Sequence, residues 1–194
     1  TTATALNVAN TTIGASGLTF RSINVNGATK GISLNTTGSG GPTISGTGTT
    51  AGSGGTIQNI AQRGIEIISA QNINLNNVNL TNANTADAGL AGICDELNNG
   101  GCFAALYIST TTTVSLTQVN ITTTAEQGIN LNNVTALSIN NCIVQGNGDN
   151  TEEGALKAVD LKGTCSITNS TFKNSAFRIA HIRNNSGNCH LTVS

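Results

Sequence analysis

Tryptophan and methionine are absent from this chain, there is one proline and one tyrosine, and charged residues make up only 9% of its 194 positions. A globular domain ordinarily carries about 25% charged residues. With aromatic residues at 3%, a conventional core of large rings is excluded. Eight Lys and Arg against nine Asp and Glu leave a net charge of −1, which gives no basic footprint for phosphates, so nucleic acid is not expected as a partner. No apolar run reaches the length that crosses a bilayer as a helix, so no membrane span is expected in this segment. The opening TTATALNV lacks the basic and apolar regions of a signal peptide. We therefore expect either that a signal has been removed or that residues 1–194 form a single domain of a larger protein.

What fills the chain is Gly, Asn, Thr and Ser. By composition these suggest disorder, but disordered chains are poor in β-branched residues and high in net charge. Here Ile, Val and Thr are frequent and regularly placed.

The regularity is a repeat. GIEIISAQNINLNNVNL from Gly64, ALYISTTTTVSLTQVNI from Ala105, GINLNNVTALSINNCIV from Gly128 and AVDLKGTCSITNSTF from Ala158 align, with starts 41, 23 and 30 residues apart. Weaker copies begin at Ala5, Gly31 and Arg178. Each good copy holds two alternating apolar pairs, the first being Ile65 and Ile67, Leu106 and Ile108, Ile129 and Leu131, and Val159 and Leu161. Alternation with period two specifies strands. Short strands in a repeat of 20 to 23 residues describe a chain that winds once per repeat and stacks coil on coil. The fold class expected is all-β, a parallel β-helix or solenoid of about seven coils with loop insertions.

After the second pair stand Asn59, Asn77, Gln118, Asn141 and Asn169, with Ser22 in the first copy. Stacked amides at a turn satisfy one another along the axis, so these positions are expected to form an asparagine ladder.

These repeats, GINLNNVTALSINNCIV above all, resemble the right-handed parallel β-helices of the pectate-lyase-like kind, and within them the Asn- and Thr-rich repeat regions of bacterial cell-surface proteins. The resemblance covers about residues 5 to 194. It implies a right-handed solenoid. It implies no particular activity, because lyases, hydrolases, phage spikes and adhesins share that scaffold.

Three segments interrupt the repeat: residues 38–55, rich in Gly, Ser and Thr, residues 85–103, and residues 146–154. The first reads either as a loop or as a degenerate coil. Insertions in solenoids gather on one edge and often carry recognition. Cys94 and Cys102 close a short loop in the second, and Cys165 and Cys189 are expected at matching positions of adjacent coils, so two disulfides are expected, Cys94 with Cys102 and Cys165 with Cys189. Cys142 is expected to be a buried thiol. Such bridges fit an oxidising, extracellular or cell-surface location. The Asn-X-Ser/Thr triplets follow from composition and are not read as glycosylation sites.

The side chains expected to stand outward on the first strand are Ser33, Glu66, Tyr107, Asn130, Asp160 and His181. Glu66 and Asp160 would lie three coils apart, roughly 14 Å, too far for a glycosidase carboxylate pair. No catalytic residue is assigned. Asp160, Lys162, His181 and Arg183 gather near the C-terminal coils and, with Tyr107, are the candidate ligand-binding residues. Asp149, Glu152 and Glu153 are the candidate metal ligands, with calcium the only cofactor considered.

The reading is of an extracellular structural or adhesive segment of a bacterial surface protein, with roles in cell adhesion and virulence. Its partner would be a glycan, a host or cell-surface protein, or itself. Two alternatives stand beside it: a polysaccharide-processing or polysaccharide-binding β-helix, and a subunit that stacks end to end into filaments.

Overall fold

The structure, a computed structural model, describes residues 3–87 and 102–194. Among the described residues there is no helix, and every strand pairing is parallel. One sheet has twelve strands and the other six.

Each coil has three limbs. The first-limb strands follow one another up the sheet as Leu6–Ala9, Lys30–Asn35, Arg63–Ile68, the first half of Ala104–Thr117, the first half of Gln127–Asn140, Gly154–Val159 and Arg178–Arg183. The second limb stacks Leu18–Phe20, Pro42–Ile44, Gln71–Asn76, the latter halves of the two long strands, Gly163–Thr168 and Cys189–Val193. The third limb is the separate sheet, built from Val25–Asn26, Thr56–Gln58, Asn79–Thr81, Asn120–Thr124, Ile143–Asn147 and Thr171–Lys173. This is a parallel β-solenoid. Residues 38–55 supply the second-limb strand Pro42–Ile44, which pairs with both neighbours, so that segment is a coil with an enlarged turn.

The core is a column of aliphatic side chains with period two. Ile32, Ile65, Leu106, Ile129 and Leu156 lie one above another in register, and Leu34, Ile67, Ile108, Leu131 and Ala158 form the next row. All are essentially fully buried. Just before them the chain turns from third limb to first over Gly31, Gly64, Ala105, Gly128 and Ala155. A Cβ added at Gly128 would come within 2.6 Å of the Val144 side chain, so this corner admits only the smallest residues.

That corner corrects the register expected for the sixth coil. Ala155 and Leu156 repeat Ala105 and Leu106, and the inward pair is Leu156 and Ala158 in place of Val159 and Leu161. The outward residue of that coil is consequently Lys157, paired with Asn130 on one side and His181 on the other. Asp160 stands instead at the end of the strand, in the left-handed region with φ 58°.

The corners explain the asparagine. Asn77, Gln118, Asn141 and Asn169 all follow the second limb with φ between 50° and 57°, a conformation that Asn tolerates better than branched residues. Asn59 follows the third limb, so it belongs to another corner, and Gly46 stands in its place beside Asn77. Amides run along the axis at the third-limb corner: Asn59 Nδ2 donates to Asn26 Oδ1 at 2.8 Å, and Asn82 Nδ2 to Asn59 Oδ1 at 3.0 Å. Asn77 and Gln118 donate to the carbonyls of Gly48 and Thr49 in the enlarged turn.

Candidate functional site

The outward row of the first limb reads Ser33, Glu66, Tyr107, Asn130, Lys157 and His181. Its centre is closed: Glu66, Tyr107, Asn130 and Lys157 are all buried. Lys30 Nζ lies 2.6 Å from Glu66 Oε1, the Arg63 guanidinium bonds Glu66 Oε2, and Ser33 Oγ donates to Glu66 Oε1 at 3.3 Å. Burial pushes the Glu66 carboxyl up, but the hydrogen bonds and charges of Lys30 and Arg63 outweigh it and hold the group below its ordinary value. Arg63 also donates to the Cys102 carbonyl at 3.2 Å from Nε and 2.8 Å from Nη2, and lies over the Tyr107 ring. Tyr107, expected as a ligand contact, thus has its face covered by a guanidinium.

Of the remaining candidates, Asp160 lies beside Lys162 and donates its backbone N–H to the Arg183 carbonyl at 2.9 Å, while His181 stands in the outward row. Asp160 accepts the backbone N–H groups of Asn185 and Ser186 at 2.6 and 2.9 Å, which holds its carboxyl below the ordinary range. Its task is to fix the turn of the next coil. Lys162 runs its stem along Gly187, His181 pairs with Arg178 at 3.1 Å, and Arg183 pairs in register with Val159.

Among the cysteines, Cys142 is the buried free thiol expected, and the Cys165–Cys189 bridge is the expectation that fails. Cys142, Cys165 and Cys189 are free. Cys189 stands opposite Gly163, while Cys165 stands opposite Leu191, so the two thiols are diagonal neighbours and not a bridged pair. The Cys189 thiol is pushed up to about 11 by burial and by the Cys165 thiol beside it. Cys102 is disulfide-bonded; Cys94, its expected partner, lies outside the described residues.

A polar face that periodicity alone did not single out lies on the outside of the third limb. Asn26, Gln58, Thr81, Thr122, Gln145 and Lys173 form one row in register. Thr56, Asn79, Asn120, Ile143 and Thr171 form the next. These side chains are exposed or half-buried. Their links are weak and lateral: Asn120 Nδ2 to Asn79 Oδ1 at 3.3 Å, and Thr122 Oγ1 to Thr81 Oγ1 at 3.2 Å. A shallow depression bounded by Asn24, Asn26, Thr56 and Gln58 opens at one end. The signal was present in the sequence as the residues between the apolar ones, but only the register aligns them into rows.

The third feature sits where the third limb turns into the first. Glu153 is fully buried, and its Oε2 accepts the N–H groups of Asp149 and Asn150, both at 2.8 Å. Candidate carboxylate oxygens of Asp87, Asp149 and Glu153 lie within 4.8 Å of one another. Glu152, expected among the ligands, faces Arg178 at 3.7 Å instead. Asp87 arrives from two coils away and was not foreseen, because 62 residues separate it from Asp149 in sequence.

Comparison with protein-family models, with curated proteins and with solved structures finds no match for this chain.

Proposed function

We propose that this chain is an extracellular structural and adhesive segment of a bacterial surface protein, a solenoid of the right-handed, pectate-lyase-like kind that presents recognition surfaces on a stiff rod. The supporting observation is the third-limb face: two in-register rows of mainly amides and hydroxyls, open to solvent and spaced by the strand separation of about 4.8 Å. Such a surface offers donors and acceptors in repeat, which is the chemistry that hydroxyl-rich glycans match. Reaction chemistry has less support, since Glu66 is neutralised by two cations and Asp160 is engaged by backbone.

The test is a glycan array with the chain and with Thr122→Glu, which places a charge in the middle of the face. Glycan binding that the variant loses supports the reading. Binding to neither glycans nor cell-surface proteins overturns it.

A further inference from the structure

Glu153 combines two properties that are costly together. It is fully buried, and its second carboxylate oxygen, Oε1, has no hydrogen-bond partner. An unpaired buried carboxylate oxygen is destabilising unless a cation or proton meets it. Two other acids, Asp87 and Asp149, converge on the same place.

We propose that Asp87, Asp149 and Glu153 form a calcium site that fastens the corner after the third coil to the corner after the fifth. The spacing fits the ion. Oxygens within 4.8 Å of one another can share a calcium ion at about 2.4 Å each, and magnesium gives up its waters more reluctantly for a flexible carboxylate cluster. The donor set is oxygen alone, with no His or Cys, which disfavours zinc and copper. Asp149 Oδ1 accepts the Asn150 side-chain amide at 2.6 Å, which orients that carboxylate. Asp87 and Asp149 are exposed, so the ion reaches the site from solvent and water completes its shell.

The fold supplies the reason for a clip here. Asp87 opens the insertion of the third coil, and Asp149 and Glu153 belong to that of the fifth. The coil between them turns tightly through Thr124, Ala125 and Glu126, with Glu126 accepting the Phe103 N–H at 2.7 Å and its own N–H taken by Asn84 Oδ1. Asp87 meets Asp149 and Glu153 across that short turn, and the three carboxylates repel until a divalent cation joins them. This site is independent of the third-limb face, and its test needs no adhesive ligand.

The experiment is calorimetric titration of the metal-stripped chain with CaCl2 and, separately, MgCl2, alongside thermal unfolding in each. Expected are one calcium bound per chain, a rise in Tm with calcium and little or none with equal magnesium, and at least a tenfold loss of calcium affinity in both Glu153→Gln and Asp87→Asn. Asp87 is exposed, so its variant folds whatever becomes of Glu153→Gln. No calcium heat and no Tm shift at millimolar concentration overturns the proposal, as does calcium binding that Asp87→Asn leaves unchanged.

Discussion

The Arg63 guanidinium lies 3.7 Å from the centroid of the Tyr107 ring, one coil away, while bonding Glu66 on its own strand. A cation over a ring is attracted by the ring's electron-rich face, more so when both are shielded from water, and both side chains here are buried. The outer face of the first limb is at its centre a closed layer in which the single carboxylate, Glu66, is held by two cations.

Glu66 is the hub of that layer and titrates accordingly. Its folded-state value lies below the ordinary 4.5, so its contribution is present above the unfolded value and is lost as pH falls through the folded one. Glu66→Gln is expected to lower stability at pH 7 by about 3 kcal/mol, the scale for breaking a buried pair. The deficit should shrink in urea titrations carried below pH 5; a deficit that is the same at every pH would refute the ionic role.

Ala136 has φ 56°, as do its neighbours in that column, Thr113 at 57° and Asn72 at 56°, while the next coil places Gly163 there. An alanine in this region is strained by about 1 to 2 kcal/mol, against which glycine costs up to about 1 kcal/mol in chain entropy. Ala136→Gly should therefore stabilise by roughly 0.5 to 1 kcal/mol and Gly163→Ala should do the reverse, read as opposite shifts in urea midpoint.

Cys165 and Cys189 are offset by two residues across their strand pair, which places their Cα atoms beyond the usual bridging range of about 7 Å. A non-reducing peptide map should show neither joined to the other nor to Cys142. Alkylation of the native chain should spare Cys142, whose burial raises its thiol. A Cys165–Cys189 peptide in freshly prepared protein would contradict the register of the last two coils.

Leu131 and Leu191 test the stacking itself. Leu131 is fully buried between coils, whereas Leu191 in the last coil is only partly covered. Leu131→Ala should cost about 2 to 5 kcal/mol and Leu191→Ala distinctly less, because a solenoid residue is stabilised by the coils on both sides of it. Equal losses in chemical unfolding would mean that something beyond the described coils packs against Leu191.

How far the sequence could be read depended on what each feature required. Ile65, Ile67, Leu106, Ile108, Ile129 and Leu131 announce their strands because one short segment contains the whole period. The register of the sixth coil was harder, since ALKAVDL offers two overlapping alternations and only the steric demand of the corner selects Leu156 and Ala158. That three-residue difference moved Asp160 off the outer face and put Lys157 there. Of the acidic group, Asp149 and Glu153 are near neighbours and were visible, whereas Asp87 became their neighbour only by stacking.

Local pattern by itself determined that this chain is parallel β-structure with a thin aliphatic core, because period-two alternation at a short repeat leaves no other way to bury so few apolar groups. The tertiary structure decided which side chains share a face. Adjacency across coils depends on each loop's length, and insertions of different lengths place residues tens of positions apart within a few ångströms of one another. That is why Asn59 joins Asn26 and Asn82 at one corner, and why three acids from two insertions meet at another.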